Sequence, residues 1–440
     1  MFYAINRPLA RPRQDDRRCP ATPGQPARGR IIGTTQGVDD LPMHSPATGH
    51  QPLNRPALAA TLAFAFSQDA LYALLFLSYM NHYLLDVLAA PAGLPGYTLA
   101  LYGATKLITH PLAGRLLDRT SPRTVFRAAT VIQAGAVVVL LAIHTLAAFL
   151  AAAVLLAIAS AAMWPLIYDT VARTQPGNER TRATGALALA GYAATGSGFA
   201  IGVLLADFAP WRSAFIASGA LVAAVGLLQG SGALDTDGTV GHAFEAQPAR
   251  TRRKMATFGF IIFLDYAAIS SLAGVYGPYA RLSLDISLVT TTLLLAPAAA
   301  AALGSLYLAT RYSRRERRFL EMAGLYVVAM AGAAVLAFTT TPWVASAGAV
   351  PLAAGAGGIG AIVAAAMIDL GGASGRGLVF GTLMSVEGLG SVMGPALTAT
   401  ITNVFDPRAG VGCIGVMFAA LAVLTALAFL HSRDRSSAPT

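Results

Sequence analysis

Residues 97–144 read YTLALYGATKLITHPLAGRLLDRTSPRTVFRAATVIQAGAVVVLLAIH. Two apolar runs, 97–116 and 124–144, flank a break that gathers Arg115, Arg119, Arg123 and Arg127. Each run is long enough to cross a hydrocarbon core about 30 Å thick at about 1.5 Å per residue. Short loops that retain arginine stay on the cytoplasmic side of a membrane, so this stretch fixes both a hairpin of spanning helices and its orientation.

The same pattern recurs in both directions along the chain. Twelve mostly apolar runs lie at about 57–84, 97–116, 124–144, 147–171, 183–207, 212–230, 256–280, 287–310, 319–339, 343–370, 377–404 and 409–431. Of the 31 Lys and Arg residues, only Lys106 lies away from the ends of a run; threading the runs through a bilayer in order puts 27 of the other 30 on one side. Arg212, Arg281 and Arg408 are the three on the other side. Dropping any one run would scramble this bias. The expectation is an all-α membrane protein with twelve transmembrane helices and both termini cytoplasmic.

Composition removes the main rivals. A chain that is 55% hydrophobic and 12% charged carries too much apolar surface for one soluble core of 440 residues. The net charge of +10 is dispersed over loops between spans and follows the membrane-orientation rule, with no nucleic-acid-binding pattern beside it. Cys19 and Cys413 lie in the tail and in the last run, which makes a structural disulfide unexpected. The excess of Arg over Lys, 29 to 2, suits a GC-rich genome and places the expected location in a bacterial inner membrane.

Residues 1–56 are rich in Arg, Pro, Gly and Gln and lack the apolar core of a signal peptide. Two readings stand: a disordered cytoplasmic tail, or a chain whose translation starts at Met43. The polar segment 231–255 is expected to be a cytoplasmic loop between two six-helix bundles, 57–230 and 256–431, with 432–440 as a second tail. Those halves read as copies. At an offset of 192, Gly185, Gly196, Gly198 and Gly202 meet Gly377, Gly388, Gly390 and Gly394. Gly114 and Gly304 are offset by 190, and Asp69 and Asp265 by 196, as loop insertions allow. Internal repeats of this size are an architecture of secondary transporters, with substrate bound near the midplane between the halves.

The string GRLLDRTSPR at 114–123 resembles a loop motif of the major facilitator superfamily, in which Gly, three residues, Asp and a base precede a Gly and two basic residues. Gly114, Asp118, Arg119 and Arg123 match; Ser121 stands for the Gly and Pro122 for a base. Topology and repeat extend the resemblance over the whole transmembrane part. It implies a cytoplasmic latch in which Asp118 approaches the start of the eleventh helix and Arg119 pairs with an acid at the end of the fourth. Asp169 occupies that place, with Arg173 one turn on. The equivalent loop of the second half has Arg311, Arg314 and Arg315 but Leu308 in place of the Asp. Solvated loop charges are the plainer reading of all these residues, since exposed ion pairs contribute little.

Gly191, Gly198 and Gly202 resemble the fifth-helix motif of the antiporter members, though Val203, Leu205 and Ala206 replace its Pro and Gly pair. A Gly-Pro step stands instead at Gly394 and Pro395, after Gly390. Small residues four apart let helices touch and slide, so close packing and gating are both available to them.

Charges within spans are expensive and normally face the protein interior. Asp69, Lys106, Asp265 and Glu387 fall near the midplane, with Gln68 beside Asp69 and His110 one turn beyond Lys106. A carboxylate withdrawn from water is a place where proton and substrate can compete. Asp69 is the first expected coupling residue, followed by Glu387 and Asp265; the alternative for each is a permanent salt bridge with Lys106. His110 reads either as a proton relay or as a structural histidine. Tyr72, Trp164, Tyr168, Tyr266 and Tyr276 are candidate cavity walls, or packing and interfacial residues.

No phosphate-binding loop, metal-ligand spacing or nucleophile elbow is present, which argues against an enzyme and against ATP as the energy source. The expected activity is proton-coupled export of a small hydrophobic or drug-like compound by a monomer, needing no cofactor beyond a proton gradient. Import of a metabolite or sugar is the nearest alternative, and a membrane sensor without turnover the more distant one.

Overall fold

A computed structural model of the chain describes residues 55–174, 177–230, 249–314, 316–371 and 376–436. Among them there is no β-strand, and twelve long helical elements follow one another. They are α1 (Arg55–Tyr72, continued by further helical turns to Val87), α2 (Leu94–Arg119), α3 (Pro122–Ala142), α4 (Leu146–Thr174), α5 (Gly177–Phe208) and α6 (Ser213–Gly230). The second set is α7 (Ala249–Pro278, continued to Ser283), α8 (Leu288–Tyr312), α9 (Arg318–Phe338), α10 (Pro342–Gly371), α11 (Arg376–Val404) and α12 (Pro407–Ser436).

Nine of these helices are long and apolar enough to cross a membrane, and α6 has a shorter apolar stretch, Ser213–Leu228. The outward surface agrees: Phe208, Leu227, Val131, Phe338 and Val416 are all exposed. A surface of that kind is stable against lipid and not against water. Several helices outrun their apolar runs. α7 begins at Ala249, inside the segment expected as loop, and α12 continues to Ser436, inside the expected tail. Counting apolar residues finds the lipid-buried part of a helix and misses the polar turns that project beyond it.

The α2–α3 turn explains how this chain departs from the loop motif it resembles. Ser121 is the N-cap of α3, accepting the Thr124 backbone N–H at 3.2 Å, and Pro122 opens the helix. Ser before Pro is a helix start: the hydroxyl satisfies an orphan donor, and the ring's fixed φ suits the first turn. Where the motif has Gly and a base, the chain therefore has a cap.

Buried cores segregate by half. Phe64, Phe126, Met163 and Val225 form one cluster, and Tyr79, Tyr83, Phe149 and Phe215 another, both within α1–α6. Tyr326, Phe418, Ile262 and Met384 belong to a third within α7–α12. Each half is held by a glycine-lined seam. α5 lies on α1, where a Cβ at Gly198 would meet the Ala70 backbone and one at Gly202 the Ser78 side chain. α11 lies on α7 in the same way, Gly390 against Phe263 and Gly394 against Ala267. Between the halves, α2 and α11 touch along their length: a Cβ at Gly96 would lie 2.8 Å from Ala399 Cβ, and one at Gly388 2.9 Å from Leu107 N. The partner of Gly388 in the repeat, Gly196, has open space beside it, so the α5–α8 seam is the looser of the two.

This contrast gives a direct test. Gly394→Ala has no room against α7 and should lower stability by about 1–3 kcal/mol, the usual penalty for overpacking. Gly196→Ala should be neutral or stabilise by up to about 1 kcal/mol through helix propensity. Thermal melts of the two variants in detergent check the pair; equal melting temperatures would contradict the glycine seam.

The loops following odd-numbered helices lie at one face, called here the odd-loop face. There α1 and α7 end alike. Each finishes in a wide, five-residue helical turn, Tyr83–Val87 and Tyr279–Ser283, at an offset of 196. The closing hydrogen bonds repeat too: Leu88 N–H to Tyr83 O at 3.0 Å and Leu284 N–H to Tyr279 O at 3.2 Å. So does the left-handed residue that follows, Ala89 at φ 49° and Asp285 at φ 52°. Non-glycine residues occupy that region at some cost in strain.

Candidate functional site

A cavity of about 550 Å³ lies between the halves, lined by α1, α2, α4 and α5 on one side and by α7, α10 and α11 on the other. That volume suits a drug-sized organic molecule. Seven aromatic side chains stand in its wall: Tyr72, Tyr102, Trp164, Tyr192, Phe199, Tyr266 and Tyr276. Asp69, Lys106, Asp265 and Glu387 line it as well. Four helices thus bring to one chamber the four charges that stand near the middle of apolar runs.

Their pairing divides them. Lys106 Nζ on α2 lies 3.6 Å from Glu387 Oε1 on α11, with 13% and 14% of the two side chains exposed. This ion pair joins the halves across the tight seam. The Tyr266 hydroxyl also binds Glu387, and the Tyr102 ring lies 5.8 Å from the Lys106 ammonium. Asp265 is buried at 2% exposure and accepts a hydrogen bond from the Tyr326 hydroxyl at 3.1 Å, which turns it towards α9 within its own half. Asp69 makes no hydrogen bond or ion pair among the described residues. It lies in the field of Lys106 and Glu387, and its Oδ2 occupies the space beside Gly191, where a Cβ would come within 2.5 Å. Gly191 therefore makes room for a carboxylate, beyond any role in helix packing.

Gln68 is tied backwards. Its side-chain amide exchanges two hydrogen bonds with Gln133 of α3, at 2.6 and 3.3 Å, both residues being buried. The pair fixes the rotation of α1 and so the direction of the adjacent Asp69. His110 sits in the α2–α11 seam at 1% exposure, its Nδ1 donating to Met384 O at 3.0 Å. Its Nε2 is buried and has no hydrogen-bond partner among the described residues. Among the described residues, no group of three or more His, Cys, Asp or Glu is placed to hold a metal ion.

Of the latch residues, Gly114 is buried near the end of α2 and Arg123 is exposed in the first turn of α3. The side chains of Asp118, Arg119, Asp169, Arg173 and Tyr168 lie outside the described residues, as do 231–248 of the central loop. Gly198, Gly202, Gly390 and Gly394 stand at the α1–α5 and α7–α11 seams, and Pro395 follows within α11. Sequence reasoning missed Gln133, Tyr102, Tyr192 and Phe199. Gln133 was findable as a lone amide in an apolar run; the aromatics carry no signal apart from helix rotation.

Twelve helices in two repeats around a charged central chamber define a polytopic membrane carrier. The sequence profile of the Major Facilitator Superfamily matches residues 57–372, and the chain belongs to that superfamily of transporters. Among solved structures, the human organic anion transporter MFSD10 (TETRAN) is similar at a TM-score of 0.69 and 15% identity, over 85% of this chain and 100% of that one. The nucleoside transporter NupG, as a D323A mutant, is similar at a TM-score of 0.61 and 14% identity, over 85% of this chain and 99% of that one. At these identities the likeness is one of fold. No curated protein matches the sequence.

Proposed function

We propose that this protein exports small hydrophobic or drug-like compounds in exchange for protons, by alternating access of two six-helix bundles about the central cavity. The observation that carries this reading is the state of Asp69: a carboxylate facing the chamber with no hydrogen bond or ion pair among the described residues, while the cation beside it, Lys106, is held by Glu387. A group so placed gains most from binding either a proton or a cationic substrate, and competition between the two is antiport. Glu387 and Asp265, each already engaged, are the secondary candidates. The distribution of arginine supports a cytoplasmic even-loop face, with both termini there, in a bacterial inner membrane. Asp118, Arg119, Asp169 and Arg173 are the proposed latch at that face. The carrier works as a monomer and draws on the proton gradient alone.

Proteoliposomes with an internal pH dye test this. Lipophilic cations added to acid-loaded vesicles should release protons in a saturable, protein-dependent way. Uptake of a nucleoside, sugar or organic acid without a response to lipophilic compounds would make the protein an importer. Failure to move any solute would remove the carrier reading.

A further inference from the structure

The loop motif of the first half has a counterpart after α8 that transport leaves unused. At the repeat offset of 190, Asp118 falls on Leu308, and residues 311–318 beyond it carry five arginines. Of the two acids there, Glu316 and Glu321, the second is committed to the turn itself: its oxygens accept the Ser313 hydroxyl and the Arg314 backbone N–H. Leu303, Tyr307 and Arg311 follow at steps of four, so they share one stripe of α8, and all three are exposed. Thr310 points elsewhere, towards α5, where a Cβ at Gly185 would meet it. The stripe therefore faces outward, on the least buried of the apolar spans. The Arg311 guanidinium is oriented by its own helix. Its Nη1 donates to the Tyr307 hydroxyl at 2.8 Å, and its centre lies 5.7 Å from the Tyr312 ring.

We infer that Arg311, set between Tyr307 and Tyr312, binds the phosphodiester of an anionic phospholipid, so that the surrounding membrane supplies the negative charge that the first half carries in Asp118. The inference needs the chain to span a bilayer; neither the exported compound nor the coupling ion enters it. Three features point to a lipid. The arginine fork matches phosphate oxygens in pairs, and a guanidinium already turned by one hydrogen bond loses less freedom on binding. The stripe also has the order of a lipid, from charge through an aromatic to apolar residues. Arg311 stands in the last turn of α8, Tyr307 and Leu308 come next, and Leu303 lies about 12 Å further along the axis at the helical rise. A soluble anion would use the arginine alone, whereas an acyl chain covers the rest. Leu308 fits this arrangement, because a carboxylate at that exposed position would lie against the chain. Finally, a cluster of bases beside a spanning helix repels itself and attracts anionic headgroups. Arg314 and Arg317, both exposed, add to that field.

The test uses the full-length protein, stripped of lipid in a neutral detergent. Native mass spectrometry counts bound phosphatidylglycerol against phosphatidylcholine with the same acyl chains. The wild type should hold phosphatidylglycerol about tenfold more tightly, and Arg311→Gln should lose about tenfold in that affinity, as for one charge-assisted hydrogen bond. Tyr307→Phe should lose about threefold, since it keeps every charge and releases only the guanidinium. That variant also separates the site from any general effect of lost charge on folding. Removing two bases from the α2–α3 turn, by Arg115→Gln with Arg127→Gln, should leave binding as in the wild type. Equal retention of the two lipids, wild-type affinity in Arg311→Gln and Tyr307→Phe, or an equal loss in the Arg115 and Arg127 variant would overturn the site. Inorganic phosphate forms the last arm. At millimolar concentration it should leave the lipid in place; displacement would make this a site for a soluble anion and overturn the lipid.

Discussion

Asp69→Asn is expected to abolish proton movement coupled to substrate and the pH dependence of transport, while leaving the protein folded. The substitution is nearly isosteric, so Gly191 can still accommodate the side chain, and Gln68 and Gln133 still fix the helix behind it. An ionised group near the bilayer centre costs roughly 2.5 to 3.5 kcal/mol on an insertion scale, and Asp69, which makes no hydrogen bond or ion pair among the described residues, offsets it only through the field of Lys106. The neutral variant should therefore match or exceed the wild type in thermal stability. Stopped proton flux with unchanged or raised melting temperature is the predicted combination. Undiminished proton flux in the variant would assign coupling elsewhere, to Glu387 or Asp265.

The second large effect is on stability. Lys106→Met leaves Glu387 buried without its cation and should destabilise the protein by about 3–5 kcal/mol, the loss seen when one partner of a buried ion pair is removed. Glu387→Gln should cost less, because Lys106 also lies in the field of Asp69 and keeps one acid nearby. Removing both charges, Lys106→Met with Glu387→Gln, should recover most of the loss. A cycle of thermal or denaturant melts gives the coupling directly. Additive losses would show that the pair does not bridge α2 and α11 in the membrane.

The large features were legible because a bilayer imposes them. Run length gives the spans, arginine placement gives the order, and a charge within an apolar run is conspicuous whatever its neighbours. That is why Asp69, Lys106, Asp265 and Glu387 could be set near the midplane from the sequence. Their pairing could not. Whether Lys106 reaches Asp69 or Glu387 depends on the rotation of α2 against α1 and α11, and a difference of some tens of degrees between helices leaves no trace in composition. Gln68 finding Gln133, or Asp86 finding Arg281 in an ion pair, is a meeting of residues far apart in the chain. Arg281 read as one of three stray loop charges because the wide turn that carries it inside α7 breaks no hydrophobic pattern. The glycine register was visible; which of its members press on a neighbour, as Gly388 does and Gly196 does not, is a property of the assembled seams.

His110 has a use outside transport. Its ring is held with the proton on Nδ1, since that nitrogen donates to the Met384 carbonyl, and its other nitrogen is buried with no partner among the described residues. The choice of tautomer is thus made by contact with α11 and lasts as long as that contact does. Imidazole nitrogens with and without a proton resonate far apart in nitrogen-15 spectra, so one labelled histidine in a native-sequence seam can be read as a clock hand. The fraction of time it spends away from its fixed tautomer is the fraction of time the two halves spend apart along α2.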